Sequence, residues 1–264
     1  PPPPPPPPPA RAPPPGGPAR PRRAPPGRGR GARAGTCPGW TMFQTFTLMD
    51  ASQAASLLEQ VRQLEFAEGK PSASGVAARR KNNRQARPTP QKEALALQVV
   101  NALQHHAGVL AYALPRYYAV PIFNLAGQGE HYGAHIDMAG MVGMHGWPMR
   151  TDLSYTLFLA PPDTYEGGAL RIELPYRTVD VKLPAGGLVV YPSTLTHAVV
   201  PVTRGERYCV AGWIESMVHA SAQRELLFRL SQQCARISAL HPQDDVLQNE
   251  MTALLQGFIK ELAV

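Results

Sequence analysis

Residues 186–213 read GGLVVYPSTLTHAVVPVTRGERYCVAGW, where short β-branched and aromatic runs alternate with breaks rich in Gly, Pro, Ser and Thr. The runs are typical of strands, and the breaks are typical of turns. The same texture extends outward over about residues 109–216. Many short strands at this spacing predict an antiparallel sandwich or jelly roll, and argue against a parallel βαβ fold. We therefore predict a mainly β protein with flanking helices.

Helical patterns lie on both sides of these strands. Asp50, followed three residues later by Gln53, predicts the capping box of a first helix. Apolar residues at helical spacing predict a second helix over about 91–106 and two more over 220–239 and 244–263. Residues 67–90 are polar and interrupted by Gly and Pro, which predicts a loop.

These patterns divide the chain into four predicted regions. A Pro/Arg-rich tail (1–41) precedes a helical support region (42–108), a jelly-roll domain (109–217) and a C-terminal helical extension (218–264). The last helix carries an apolar stripe that we expect to pack on its own domain, with a homodimer contact as the alternative. The stripe consists of Leu247, Met251, Leu254 and Phe258.

The net charge of +7 comes entirely from the tail. Residues 1–41 contain 17 of the 30 prolines, seven arginines and no acid, whereas residues 42–264 hold 19 basic and 19 acidic residues. The folded body therefore gives no charge evidence for nucleic-acid binding. We predict a disordered tail and interpret it as sequence upstream of the true start, because Met42 directly precedes a foldable pattern. The alternative is an arm that contacts RNA, a membrane or a proline-binding partner.

Cysteine usage and hydropathy favour a cytoplasmic protein. The three cysteines are odd in number and form no C-x-x-C motif, which argues against a disulfide framework or a zinc knuckle. No apolar run approaches the length of a membrane span. We expect no membrane partner.

The stretch HYGAHIDMAG at 131–140 suggests a metal site. On a strand, His135 and Asp137 would project from the same face, because residues i and i+2 do so. Two imidazoles and one carboxylate form the facial triad of non-haem Fe(II) oxygenases. His197, which opens an apolar run after a turn, is the best candidate for the second imidazole. A solvated turn histidine, a surface acid and a core histidine are the plain alternatives.

Arg207 is a charge inside an otherwise apolar strand, so it needs a partner. A three-residue hairpin loop ending at Gly205 would pair Pro201 with Arg207 and His197 with Ala211. In that register, His197 and Arg207 share a face and lie about 13 Å apart along the strand. An extended arginine together with a five-carbon dicarboxylate spans about that distance, with the guanidinium holding one carboxylate.

Other known site types fit less well. A cupin usually needs H-x-H with a downstream glutamate, and no Glu occurs between 131 and 165. Zinc deaminases need H-x-E with P-C-x-x-C, and nucleophilic hydrolases need G-x-S-x-G; neither pattern is present.

Four longer strings carry a family resemblance: FNLAGQGEHYGAHID (123–137), WPMRTDLSYTLFLAPPDTYEGGALRIE (147–173), VKLPAGGLVVYPSTLTHAVVPVTRGERY (181–208) and GWIESMV (212–218). They closely resemble the bacterial PKHD-type hydroxylases, which are Fe(II)/2-oxoglutarate-dependent dioxygenases related to prolyl 4-hydroxylases. The resemblance extends from Met42 to the C-terminal helices and includes KNNRQ at 81–85. The implied fold is a double-stranded β-helix, the jelly roll that the strand texture favours.

The resemblance also implies the chemistry. The family's iron ligands fall on His135, Asp137 and His197, and its 2-oxoglutarate anchor falls on Arg207. The implied reaction couples oxidative decarboxylation of 2-oxoglutarate, with O2, to hydroxylation of a small-molecule or peptidyl substrate. Ascorbate is the expected reductant, and a link to iron uptake or homeostasis is implied. A catalytically idle jelly-roll binding module is the alternative.

One segment departs from the family pattern. The methionine-rich stretch MAGMVGMHGWP (138–148) follows the aspartate, where the family commonly has a small residue and then basic or polar ones. We expect it to cover the mouth of the site and to alter substrate preference.

Several further residues have two interpretations. Tyr132 and Ser154 would orient a ligand or the co-substrate, or are ordinary strand hydroxyls. Arg150 and Asp152 are interpreted as a structural ion pair, with a pair beside the site as the alternative. The Lys81–Arg84 segment borders the substrate mouth or is a solvated loop.

Overall fold

The computed structural model describes residues 42–264, so the predicted disordered tail (1–41) lies outside the described part of the chain. The helices are α1 (Ala51–Arg62), α2 (Gly75–Arg79), α3 (Pro90–His105), α4 (Ala107–Ala113), α5 (Ser221–Leu240) and α6 (Asp245–Leu262). The strands are β1 (Gln44–Thr47), β2 (Phe66–Glu68), β3 (Lys81–Asn82), β4 (Arg84–Ala86), β5 (Pro115–Tyr118), β6 (Ile122–Ala126), β7 (His131–His135), β8 (Gly140–Val142), β9 (Pro148–Arg150), β10 (Leu153–Phe158), β11 (Tyr165–Gly167), β12 (Leu170–Leu174), β13 (Arg177–Val181), β14 (Gly187–Pro192), β15 (His197–Val199), β16 (Val202–Gly205) and β17 (Arg207–Ser216).

Two antiparallel sheets form the body of the protein. The major sheet has the order β1-β14-β10-β17-β6-β4-β2, with β5 also paired to β17. The minor sheet has the order β13-β12-β15-β7-β3, and two small sheets pair β11 with β16 and β8 with β9. This arrangement confirms the prediction of a mainly β, jelly-roll fold with flanking helices.

The helices α1 and α3 pack their apolar faces into the core that lines one side of the major sheet. Leu57, Val61, Val99 and Leu103 are all at most 1% exposed. Burying such a side chain contributes about 1.5–3 kcal/mol, so these faces hold the helices in place. The predicted capping box is present, because Asp50 accepts from the Gln53 amide and Gln53 accepts from the Asp50 amide. No helix within residues 42–264 is long and apolar enough to cross a bilayer.

Two predicted elements are wrong. The run GVLAYAL (108–114), at the start of the region predicted to consist of strands, lies in helix α4 up to Ala113. The His106 ring accepts from the Val109 amide at 3.2 Å and caps this helix. Residues 67–90 are not a plain loop. They contain β2, α2, β3 and β4, and the short strands β3 and β4 form because β7 and β6 offer them open edges.

The C-terminal stripe is only partly as predicted. In α6, Leu255, Ile259 and Leu262 pack against buried Leu114, Val218 and Leu227, which agrees with packing on the helix's own domain. Leu254 and Phe258 are instead about half exposed. Residues 42–264 lie within one compact unit, and the boundaries at 108 and 217 stay a prediction.

Candidate metal centre

His135 and His197 face each other across two neighbouring strands of the minor sheet. His135 ends β7, His197 begins β15, and the register places them opposite each other. Their ring centroids are 4.3 Å apart. Each Nδ1 lies within hydrogen-bond distance of a carbonyl two residues earlier, at 2.9 Å from Gly133 O and 3.0 Å from Leu195 O. A carbonyl can only accept, so each Nδ1 carries a proton, and in a neutral imidazole Nε2 is then the atom with the free lone pair.

Asp137 completes the cluster from the segment that follows β7. The strand ends at His135, so Asp137 is not on the strand as the i, i+2 argument predicted. Its Oδ1 nevertheless lies 3.8 Å from His135 Nε2, and its Oδ2 lies 3.6 Å from His197 Nε2. One donor atom from each of the three residues lies within 4.8 Å of the others. The structure therefore brings together the three predicted ligands, with their side chains at most 9% exposed.

Neighbouring side chains fix the orientation of these groups. Ser154 Oγ, on β10 of the major sheet, donates to Asp137 Oδ2 at 2.5 Å. The Tyr132 ring stacks on the His135 imidazole with 3.6 Å between centroids, and the Tyr191 ring lies edge-on to His197. Tyr132 and Ser154 were candidates from the sequence. Tyr191 was missed, since an aromatic residue in a fully apolar strand looks like an ordinary core residue.

Burial keeps the His135 imidazole neutral. Desolvation, followed by the neighbouring His197, lowers the pKa of His135 to about 4. A neutral imidazole is the form that ligates a metal, so protons do not compete for this nitrogen near neutral pH. The charge state and the tautomer therefore both favour a metal ligand.

Arg207 lies on the major sheet, and the predicted hairpin register is wrong. β16 pairs with β11, while Arg207 on β17 pairs with Ala126 on β6. The chain between His197 and Arg207 thus crosses from the minor to the major sheet instead of turning back on itself. Gly205 does take the predicted left-handed conformation, with φ +76°. A Cβ there would lie 2.3 Å from Thr164 O, which explains the glycine.

The Arg207 guanidinium is buried without a carboxylate partner. It is 3% exposed, its Nη1 contacts Cys209 Sγ at 2.7 Å, and its Cζ lies 5.4 Å from the Phe158 ring centroid. Its Nε and Nη2 are buried with no hydrogen-bond partner within residues 42–264. A buried cation with unused donors is costly unless an anion joins it. A bound carboxylate would supply the missing anionic partner, so the burial of the guanidinium is consistent with the predicted role as a carboxylate anchor.

The triad and Arg207 line the same cavity, which has a volume of about 250 Å³. Residues of both sheets form its walls, so the wrong register does not separate the two parts of the site. Polar wall residues include Asn83, Asn124, Ser154 and Thr156. The fit for a ferrous ion and a small dicarboxylate rests on the three donors, the unpartnered guanidinium and this shared volume.

Two of the remaining candidates, Arg150 and Asp152, do not line the cavity. Arg150 and Asp152 form an ion pair of 3.2 Å in a network with Ser216, His219 and Glu215 that does not line the cavity, in agreement with a structural role.

The Lys81–Arg84 segment and the methionine-rich stretch both reach the cavity. Lys81 and Asn83 line it, whereas Arg84 pairs with Glu130 at 3.0 Å. The methionine-rich stretch folds as the β8–β9 hairpin, and Met138 and Met141 lie at the cavity, as predicted for a segment at its mouth.

Several known proteins are similar to this chain. Residues 121–215 match the family model of the 2OG-Fe(II) oxygenase superfamily. A PKHD-type hydroxylase of Hyphomonas neptunium is 42% identical over 183 residues, which cover 69% of this chain and 81% of the relative. PKHD-type hydroxylase YbiX of Escherichia coli O157:H7 is 40% identical over 203 residues, which cover 75% and 88%. Among solved structures, a prolyl-4-hydroxylase of Pseudomonas putida is 22% identical with a TM-score of 0.45, over 66% of this chain and 92% of that one. The chain belongs to the PKHD-type hydroxylases and is an oxidoreductase of the 2OG-Fe(II) oxygenase superfamily.

Proposed function

We propose that this enzyme uses Fe(II), 2-oxoglutarate and O2 to hydroxylate a small-molecule or peptidyl substrate in the cytoplasm. One observation carries the proposal: three metal-donor atoms and an unpartnered buried guanidinium lie on one cavity. When bound, Fe(II) supplies oxygen activation driven by the decarboxylation of 2-oxoglutarate. Family resemblance supports two further parts of the proposal, which are ascorbate as the reductant and a role in iron homeostasis.

His135, Asp137 and His197 would hold the ferrous ion, and three protein donors leave coordination positions for the co-substrate and O2. The protein's contribution is orientation. The Nδ1 contacts to Gly133 and Leu195 fix both imidazole tautomers, and Ser154 holds the carboxylate. Arg207 would bind the far carboxylate of 2-oxoglutarate through its unused Nε and Nη2 atoms.

The test is turnover by purified protein. Under anaerobic conditions, calorimetry should show about one Fe(II) bound per chain, as a single three-donor site requires. On admission of O2, succinate should form only when both Fe(II) and 2-oxoglutarate are present. Omission of each component in turn is the control. Fe(II) and 2-oxoglutarate binding without succinate release would instead favour the idle binding module.

Ser154→Ala should weaken metal binding by about 10- to 100-fold, because residues that hydrogen-bond a metal ligand typically have effects of that size. The hydroxyl donates to Asp137 Oδ2, so its loss frees the carboxylate to rotate. Calorimetric titration with Fe(II) measures the change. Ser231→Ala is the matched control, since Ser231 donates to Phe228 O on α5. Equal Fe(II) affinity for Ser154→Ala and Ser231→Ala would show that Ser154 does not position the ligand.

A further inference from the structure

Lys81 is a second buried cation on the cavity wall. It begins the edge strand β3, opposite Tyr132 of β7, and its side chain lines the cavity that holds the triad and Arg207. Only 5% of the residue is exposed. Buried lysines are rare, because removing an ammonium ion from water is costly unless it is paired.

The ammonium group has only neutral partners. Its Nζ donates to Ser72 Oγ at 2.7 Å and lies 4.9 Å from the Tyr132 ring centroid. Within residues 42–264 no carboxylate lies within 4.0 Å of it, and residues 1–41 contain no acid. Burial lowers the pKa of Lys81 to about 8, while the more distant Asp137 acts in the opposite direction. Lys81 is therefore still a cation at neutral pH.

The charges of the loaded cavity do not balance without a further anion. Among the described residues that line the cavity, Lys81, Arg207 and Asp137 are those of a lysine, arginine or acidic type. Fe(II) carries two positive charges and 2-oxoglutarate carries two negative charges, so these cancel. The positive charge of Arg207 likewise offsets the negative charge of Asp137. The single positive charge of Lys81 remains, in a site where low dielectric strengthens every electrostatic interaction.

We infer that Lys81 binds a carboxylate of the substrate, so that this enzyme acts on a molecule with a free carboxyl group. A carboxylate carries the single charge that balances the ammonium group, whereas a dianionic phosphate would overcompensate it. The remaining donor capacity of Nζ would hold the carboxylate beside the Tyr132 ring, which itself stacks on His135. The inference rests on the proposed function, since it takes the metal and 2-oxoglutarate as bound.

The experiment uses acetate as a carboxylate probe and acetamide as its neutral isostere. The full chain is loaded with Mn(II), a paramagnetic stand-in for Fe(II), and saturated with 2-oxoglutarate. Relaxation of the probe methyl protons then reports binding near the metal. We expect the methyl protons of acetate to relax much faster than those of acetamide. Lys81→Met should weaken acetate binding by about tenfold or more, as expected for loss of a charged hydrogen bond. Lys81→Arg should retain the preference for acetate.

The controls distinguish a failure of the Lys81 inference from a failure of the proposed function. Lys70→Met is the matched variant, because Lys70 is half exposed and pairs with Glu68 outside the cavity. Equal relaxation by acetate and acetamide in the unmodified protein would overturn the inference, as would unchanged acetate binding in Lys81→Met. Lost 2-oxoglutarate binding in Lys81→Met would assign Lys81 to the co-substrate and also overturn it. If Lys81→Met does not fold, the inference is tested by comparing acetate with acetamide binding in the unmodified protein and in Lys81→Arg. Succinate release by the same preparation tests the proposed function separately.

Discussion

His197→Ala should abolish succinate formation while the protein remains folded. His197 supplies one of three donor atoms. Structural zinc sites with four ligands bind with about 10–16 kcal/mol, so one ligand accounts for about 2.5–4 kcal/mol. Loss of His197 should therefore weaken Fe(II) binding by about two to three orders of magnitude. Anaerobic calorimetry and succinate assays measure the two effects.

The fold should survive because the removed ring borders an existing cavity. The imidazole contacts Leu195 O, the Tyr191 ring and the His135 ring, so its removal enlarges the site and leaves no closed void elsewhere. His105→Ala, at the exposed end of α3, is the matched histidine control. Full turnover by His197→Ala would remove this residue from the metal site. An unfolded variant would show that the imidazole is structural.

The fold class and the clustering of His135, Asp137 and His197 could be predicted from sequence because each depends on local patterns. Short β-branched runs between turns indicated the jelly roll, and the Asp50–Gln53 spacing indicated the start of α1. His135 and Asp137 are two residues apart, and their side chains meet although Asp137 has left the strand. His197 was found by its position at the start of an apolar run, which the structure places opposite His135.

The wrong predictions concern elements whose structure depends on contacts with distant parts of the chain. Gly205 has the backbone that a hairpin loop needs, but β16 finds a better partner in β11, so the chain crosses between sheets. Helix α4 depends on a cap from the His106 ring, which is not among the usual capping residues. β3 and β4 are too short for any local pattern to reveal them. Sequence spacing alone therefore could not place Lys81 beside Tyr132.

Although the predicted hairpin register is wrong, Arg207 lines the same cavity as His135, Asp137 and His197. Arg207 was selected because a charge within an apolar strand needs a partner, and that reasoning does not depend on which strand is its neighbour. Its side chain faces the cavity from the major sheet, whereas His135 and His197 face it from the minor sheet and Asp137 from the segment after β7. The presence of a charged residue within an apolar strand was thus more informative than the predicted pairing of that strand.

Arg207→Met should sharply weaken 2-oxoglutarate binding. Removing one partner of a buried, hydrogen-bonded charge pair costs about 2–5 kcal/mol, which corresponds to a loss of affinity of about 30-fold to several thousandfold. With Mn(II) present, 2-oxoglutarate at about 100 times its Kd should stabilise the unmodified protein by about 2.7 kcal/mol. The variant should lose most of this stabilisation in a thermal unfolding experiment at the same ligand concentration. Arg204→Met is the matched control, since exposed Arg204 pairs with Glu166 on the surface.

The stability of the ligand-free variant distinguishes a ligand anchor from a structural arginine. The Nε and Nη2 atoms of Arg207 lack partners in the described part of the chain, so the unliganded protein bears the cost of an uncompensated buried charge. Methionine fills much of the same volume without that charge, so Arg207→Met should unfold at the same or a higher temperature when no ligand is present. A structural arginine predicts the opposite, because its removal would break native contacts and lower the unfolding temperature. A destabilised Arg207→Met that still gained stability from 2-oxoglutarate would place the anchor elsewhere in the cavity, with Lys81 as the remaining cation.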